Sequence, residues 1–504
     1  LSIEIKKEAK PKRLSQRILG GTINYGLGSI VPRIVSFFLI PLYTQYLNPS
    51  DYGIIEFCGT IGLVIMTFMR FGVPGSVSRF YFDHKDNPEE LKDYVTTVHK
   101  FLVFASIITG GILGVIFFYF GEYITPGILF FPFIVIVLIN STFSANSDLQ
   151  RRLLQSKEES RYSAILNIFN AFFGIVLALV FVIGFKLGAF GIMLSQLVTT
   201  AIFFVQAQFY LKSYLVGKFR LSMLKSSLVY GLNSLPHHLF VLFAPLLSKL
   251  ILIHTNSLTA LGIFSLANRF VQPLQLIYLA FNQAYTPIYY SLRTDGVSKE
   301  TLQMYMKIIW VGAAIMFMGI FYLIPPLIPI ITPPKFHESA SLVPILAVGF
   351  IWQILYFLTV IDLFYTKKNK YIPLITLGGF VINVIITIFT VTKFGSQSLA
   401  WAQLGGYFMW AMLAKYFVDK HGEIKLSKGL VWQTLALTLL VLGLDYAGLN
   451  FNMLLLRTLT FTVISAFLVY TIILRNPAIL SALKNLDLLK RKQNSNLPEI
   501  DSME

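Results

Sequence analysis

The chain has 504 residues, of which 55% are hydrophobic and 15% aromatic but only 13% charged, with a mean hydropathy of +0.69. A soluble domain carries about 25% charged residues, so this chain lacks the charge to cover a wetted surface, which excludes a cytosolic enzyme, a disordered protein and a secreted disulfide scaffold. The charge it does carry is lopsided, 41 Lys and Arg against 24 Asp and Glu for a formal +17, and its placement distinguishes nucleic-acid binding from membrane topology.

In chain order, the basic stretch Lys6–Arg17 leads into an apolar run that continues past Leu47 with no small-residue cleavage site, so a cleavable signal peptide is not expected. A bilayer-crossing helix needs about 20 mostly apolar residues. Fourteen such runs follow one another, at about 18–47, 51–78, 96–121, 127–148, 162–185, 188–211, 228–254, 258–290, 304–331, 339–366, 371–392, 398–418, 429–447 and 452–474. They are too long and too little alternating for strands, so the expected fold is all-α and polytopic rather than a barrel. After Arg475, Asn476-Pro477 ends the last run, and Ile479, Leu483 and Leu486 at helical spacing beside Lys484 and Lys490 predict a short interfacial helix. Residues 494–504 read as a polar, disordered tail.

With a cytoplasmic N-terminus, 33 of the 41 basic residues fall in the tails and connections on that side. The outer loops hold Lys186, Lys335 and Lys393, and Arg457 lies near an outer helix end. Topology therefore accounts for most of the +17, and both termini are placed in the cytoplasm. Nucleic acid is not needed as a partner.

The chain also repeats itself. Phe185–Leu197 aligns with Thr392–Leu404 at an offset of 207, pairing Lys186 with Lys393, Gly188 with Gly395, Gln196 with Gln403 and Leu197 with Leu404. Tyr25-Gly26, Ser29 and Pro32 open the first run as Tyr230-Gly231, Ser234 and Pro236 open the seventh, and Gly53-Ile54 matches Gly262-Ile263. The unit is six helices in the same orientation twice. The expected organisation is a basic cytoplasmic tail (1–17), a six-helix bundle (18–212), a cytoplasmic linker (213–227), a second six-helix bundle (228–418), extra helices thirteen and fourteen (429–474), and a cytoplasmic amphipathic helix with its tail (475–504). Proline-interrupted helices at matching places in two repeats point to a transport site, which singles out Pro32 on the first helix and Pro236 and Pro245 on the seventh as hinges. Ordinary proline kinking of membrane helices is the alternative.

Catalytic signatures are missing. There is no Gly-x4-Gly-Lys-Ser/Thr loop and no His-Glu-x-x-His, and the adjacent His237-His238 would point about 100° apart on a helix. The lone Cys58 allows neither a disulfide nor a cysteine metal site. Glu89-Glu90 and Glu158-Glu159 fall in solvated connections. An enzyme is not expected, nor a cofactor or metal.

Away from the connections, six ionisable residues read as charges placed within the membrane: Arg33, Glu56, Arg70, Lys249, Arg269 and Asp362. A charge at the bilayer centre costs about 2.5–3.5 kcal/mol on insertion scales, so such residues usually face a cavity. Four bases against two acids make a shared cavity cationic and suited to an anionic substrate, with Arg matched to forked phosphate contacts. Arg70 and Lys249 are also near enough to run ends to snorkel to headgroups. Glu56 and Asp362 read as ion-pair partners, ahead of coupling sites for H⁺ or Na⁺.

The stretches Tyr25–Pro41, Leu47-Asn48-Pro49-Ser50-Asp51-Tyr52-Gly53-Ile54, Phe71-Gly72-Val73-Pro74-Gly75-Ser76-Val77-Ser78-Arg79-Phe80 and Leu261-Gly262-Ile263-Phe264-Ser265-Leu266-Ala267, in that order, resemble the Wzx-type polysaccharide (O-antigen) flippases. These share a superfamily with the multidrug and toxic-compound extrusion antiporters and the lipid II flippases. The resemblance covers most of 18–420. It implies two bundles around a central cavity in the cell membrane, and export of an undecaprenyl-diphosphate-linked oligosaccharide to the outer leaflet by alternating access. It also implies membrane lipids, a polysaccharide polymerase and other glycan-assembly proteins as partners. Fourteen helices exceed the twelve usual for Wzx-type members and match the lipid II flippases, and Arg70 stands where relatives often carry a neutral or acidic residue. A cation-coupled drug exporter is the second reading, disfavoured because the first and seventh helices carry Arg33 and Lys249 rather than an acid. A non-transporting scaffold for glycan assembly is the third.

Overall fold

The computed structural model describes residues 31–446 apart from Asp295, together with 462, 463, 465, 466 and 470. The basic tail 1–17, most of helix fourteen and the segment 475–504 lie outside the described residues. Every regular element among the described residues is helical, as expected where a backbone in lipid must satisfy its own hydrogen bonds. The chain is an all-α, multi-pass membrane protein, and nine described helices are long and apolar enough to cross a bilayer.

The first described helix, α1, covers 31–38, and α2 (Ile40–Tyr46) follows after a single turn residue. The start of α3 (Pro49–Arg70) is written locally: Pro49 fixes the first turn, and the Asn48 N–H donates to Asp51 Oδ2 at 2.8 Å. Its end is written too, since Phe71 and Gly72 are both left-handed, at φ 49° and 71°, and turn the chain into α4 (Val73–His84). Next come α5 (Pro88–Ile124), α6 (Val135–Ser156), α7 (Ser160–Leu179) and α8 (Gly188–Leu211). Helix α5 has 37 residues, about 55 Å at 1.5 Å per residue, so it outreaches a hydrocarbon core of about 30 Å. The expected run, 96–121, covers only its apolar middle.

The residues assigned to the linker, 213–227, divide between a strap and a helix. Residues 212–220 are tied to the start of α5: Lys218 N–H and Arg220 Nε donate to the two oxygens of Asp93, at 2.6 and 2.5 Å, and Thr97 Oγ1 accepts from the Arg220 N–H at 2.9 Å. From Leu221 the chain is already α9 (Leu221–Thr255). The rest is α10 (Leu258–Thr294), α11 (Lys299–Ile331), α12 (Ser339–Tyr365), α13 (Ile372–Phe394), α14 (Ser396–His421) and α15 (Lys428–Tyr446).

Two compact units emerge. One runs to Phe270 and takes in Ile328–Leu342 and Thr376–Gly406; the other comprises Val271–Leu327, Val343–Ile375 and the chain from Tyr407. In the first, Val77, Tyr94, Val98, Leu102, Leu149 and Leu211 form a core joining α4, α5, α6 and α8. The apolar window of α7 is only 11% buried, and α5 exposes Phe104, Ile107, Ile112, Phe118 and Tyr119, as surfaces dressed for lipid. In the second unit, Val360, Leu363, Ile372, Ile375, Ala414 and Val418 join α12, α13 and α14. The apolar window of the helix containing α12 is 94% buried, which suits a helix apolar on every face. Helix thirteen of the sequence count is α15, where Thr438 Oγ1 accepts from Trp352 Nε1 at 3.1 Å.

The sequence repeat has a physical counterpart inside the first unit. A Cβ on Gly53 would lie 2.0 Å from the Leu258 carbonyl oxygen, and one on Gly262 would lie 1.6 Å from that of Pro49. Each glycine sits four residues after the first residue of its helix, and each receives the start of the other. The second matched pair, Gly188 and Gly395, is left-handed in both copies, at φ 56° and 49°.

Candidate functional site

Three helices of the first unit bring charge together inside the apolar spans. On α3, Glu56 and Thr60 stand four residues apart and present one face to α9. Lys249 Nζ donates to Glu56 Oε1 at 2.6 Å and to Thr60 Oγ1 at 2.5 Å. On α10, Ser265 and Arg269 repeat the four-residue spacing, and Ser265 Oγ donates to Glu56 Oε2 at 3.0 Å. Both carboxylate oxygens are thus engaged, and the Lys249 side chain is 8% exposed. A buried ion pair persists only when its remaining hydrogen-bonding capacity is met, and the two hydroxyls meet it.

Arg269 completes the cluster differently. Its guanidinium lies 5.1 Å from the centre of the Tyr52 ring, a cation-π contact, and that ring packs edge-on against Phe336 at 5.3 Å. Arg269 stands one turn after Ser265, whose hydroxyl bonds to Glu56, so two cations and one carboxylate gather in the cluster, a local surplus of one positive charge. Arg269 opens onto a cavity of about 310 Å³ lined also by Tyr43, Tyr52, Asn140, Asn170 and Gln196. The site is cationic at one wall and neutral elsewhere, with amides and hydroxyls alternating with apolar groups such as Leu47, Ile55, Ile175 and Ile192. The Tyr52 hydroxyl is buried and has no partner among the described residues.

The structure brings together Glu56, Lys249 and Arg269, but not the other candidates. Arg33 is exposed on α1, one turn before Ser36, which lines the cavity. Arg70 stands fourteen residues beyond Glu56 on α3, about 21 Å along the axis, in a separate cluster. There its Nη1 pairs with Asp148 at 3.4 Å, its Nη2 donates to the Ser144 carbonyl at 3.1 Å, and Arg151 and Arg152 share the same carboxylate. Asp362 belongs to the second unit. It is fully buried, accepts from the Tyr289 hydroxyl at 2.7 Å and from the Glu423 and Ile424 N–H groups at 2.6 and 3.2 Å, and has Arg293 at 3.9 Å. Arg293 also pairs with Glu423. Outside the spans, the Glu423 carboxyl is held below the usual carboxylate range, chiefly by its hydrogen bond from Arg293. Of the proline positions, Pro236 and Pro245 lie within the helical assignment of α9, and Pro32 is the second described residue of α1.

Sequence reasoning missed Thr60 and Ser265, whose hydroxyls are unremarkable in an apolar helix, and Tyr52. The available signal was the four-residue spacing from a charged residue on the same helix. It also missed Asp148 and Arg293, which lie where apolar runs end but where the helices continue. Among the described residues, no three His, Cys, Asp or Glu side chains are grouped to hold a metal.

Comparison with known proteins bears on the whole arrangement. Residues 18–292 match the family described as polysaccharide biosynthesis protein. No curated protein matches the sequence. The fold is similar to that of a multidrug resistance MATE family transporter of the MOP superfamily in an inward-facing conformation, at 13% identity and a TM-score of 0.60, covering 81% of this chain and 98% of that one. It is also similar to an outward-facing conformation of such a transporter, at 14% identity and a TM-score of 0.55, covering 86% and 99%. A MATE structure in the bent conformation aligns at 14% identity with a TM-score of 0.53, covering 86% and 100%.

Proposed function

The chain belongs to the polysaccharide biosynthesis protein family, and from that premise we propose that it is a flippase carrying an undecaprenyl-diphosphate-linked oligosaccharide from the cytoplasmic to the outer leaflet of the cell membrane by alternating access. The observation that carries the reading is the gathering of Lys249, paired with Glu56, and Arg269, resting on the Tyr52 ring, at a cavity lined in part by amides and hydroxyls. One surplus positive charge in a low-dielectric setting favours an anion, and a guanidinium suits the forked oxygens of a diphosphate. The 33 basic residues on one side of the sequence-derived topology support cytoplasmic termini. Coupling to H⁺ or Na⁺ acts at Glu56 in this reading, since neutralising that carboxylate frees Lys249.

Deleting the gene should strand undecaprenyl-linked repeat units on the cytoplasmic leaflet, and normal surface glycan in the deletion strain would refute the reading. Arg269→Ala should impair export while Arg269→Lys retains part of it. Full complementation by Arg269→Ala removes that residue from the site. The multidrug transporters of the same fold suggest a drug exporter as the second reading. Here the cluster's only acid is already paired with Lys249, which leaves no free carboxylate in it for a cationic drug. Raised resistance to organic cations on expression would reverse that ranking.

A further inference from the structure

The cavity beneath Arg269 does not end there. A second cavity, of about 230 Å³, shares Asn170 and Thr200 with it and continues along α6, α7 and α8 as far as Asp148 and Arg151. On α8 the lining runs Ser195, Gln196, Thr199, Thr200 and Gln206, a spacing of three, four and seven that keeps one helix face. On α7 it runs Ser163, Asn167 and Asn170, and on α6 Asn140, Ser144 and Ser147. Lined residues extend from Ile192 to Gln206 on α8, about 21 Å at 1.5 Å per residue, a large part of a hydrocarbon core of about 30 Å.

The three helices therefore turn amides and hydroxyls, set among small and apolar side chains, onto one shared track. An amide facing hydrocarbon without a partner is costly, and several of these groups are short of partners. Asn140 Oδ1 and Gln206 Oε1 are buried with none among the described residues, as is Gln150 Nε2 at the Asp148 end. The track is uncharged between its ends, and the carboxylate at its far end is engaged by Arg70, Arg151 and Arg152. The unpartnered amide atoms include two acceptors and one donor, and hydroxyls such as Ser195, Thr199 and Ser147, which donate to their own helix backbone, keep lone pairs to accept with, the chemistry that matches a chain of sugar hydroxyls. A cationic drug would ask for a free carboxylate, and a diphosphate for cations along the track.

We propose that this track between α6, α7 and α8 binds the uncharged, hydroxyl-rich sugar residues of the substrate while Arg269 holds its diphosphate. This rests on the flippase reading and divides its substrate between two subsites. The test uses the full chain in lipid nanodiscs with two probes: geranylgeranyl diphosphate, and the same lipid bearing one N-acetylhexosamine on the diphosphate. The wild type should bind the sugar-bearing probe about tenfold more tightly, the worth of one or two net hydrogen bonds. The double variant Asn167→Leu, Gln206→Leu, at positions that line the second cavity and not the one at Arg269, should lose that preference yet bind the bare diphosphate within about twofold of wild type, which also reports that it is folded. Asn167→Gln with Gln206→Asn, which keeps the amides, should retain part of the preference. Arg269→Ala should weaken both probes equally. Equal binding of the two probes by wild type, or a preference intact in the double variant, overturns the sugar track and leaves the diphosphate site standing. Failure of wild type to bind the bare diphosphate overturns the flippase reading, and the track with it.

Discussion

The Glu56–Lys249–Arg269 cluster makes opposite predictions for its two halves. Lys249→Met leaves Glu56 facing Arg269 and cancels the surplus charge. Glu56→Gln leaves Lys249 and Arg269 both uncompensated and doubles it. One unit charge felt at about 10 Å through an effective dielectric of about 20 is worth about 1.7 kcal/mol, roughly tenfold or a little more in anion affinity. Geranylgeranyl diphosphate binding to the purified chain should therefore weaken about tenfold in Lys249→Met even though Arg269 is untouched, and should hold or tighten in Glu56→Gln. Stability should move differently. Breaking a buried pair by removing one partner costs about 3–5 kcal/mol, so both single variants should unfold more easily in mixed micelles titrated with dodecyl sulfate. The double variant should lose less than the sum of the two, because neither member of the Glu56–Lys249 pair is left buried without the other. If Glu56→Gln weakens diphosphate binding as much as Lys249→Met does, the cluster holds helices together and sets no field for an anion.

Three other changes probe the frame around it. Gly262→Ala should destabilise the chain by about 1–3 kcal/mol, because its Cβ would sit 1.6 Å from the Pro49 carbonyl oxygen; Gly59→Ala on α3, with nothing within 4 Å, should be neutral or stabilising in the same thermal-unfolding assay. Asp362→Ala removes the acceptor for the Tyr289 hydroxyl and two backbone N–H groups, so limited proteolysis should cut near residue 423 several-fold faster than in wild type. The Glu423 carboxyl is lowered in the folded state by Arg293. Its contribution is thus present above its unfolded value of about 4.3 and lost as the pH falls through the lower folded value. Glu423→Gln should therefore narrow the difference in melting temperature between pH 7 and pH 3.5.

The helices were legible because a bilayer imposes one length and one composition on each of them. Their ends were not, since polar turns at Pro88-Glu89-Glu90 and around Arg293 continue a helix past its apolar run. The same boundary effect hid Asp148 and Arg293. Intramembrane charge singled out Glu56, Lys249 and Arg269 as residue types in unusual places, and the structure gathers these three. Nothing in a single sequence says that Lys249 reaches Glu56 across 193 positions, or that Arg70, on the same helix as Glu56, belongs to a different cluster. The fourteen-residue separation could have said so, because a helix that long holds its two ends about 21 Å apart. The neutral track was invisible for another reason: scattered Asn, Gln, Ser and Thr vanish into a high mean hydropathy, and only their common face on α6, α7 and α8 distinguishes them.

On the proposed flippase reading, the same electrostatics account for the carboxylate in the cluster. A carrier must hold its cargo through a change of access and then let it go, so binding that is tight on one side and equally tight on the other gains nothing for turnover. Lys249 and Arg269 without Glu56 would hold a diphosphate by two full charges from inside a low-dielectric site. With Glu56 engaged by Lys249 at 2.6 Å, the anion meets a net charge of one, spread over a guanidinium that already rests on the Tyr52 ring. Neutralising Glu56 should then improve binding and slow release together. An acid inside a cationic site, which at first looks like a contradiction of its purpose, is what keeps the site from becoming a trap.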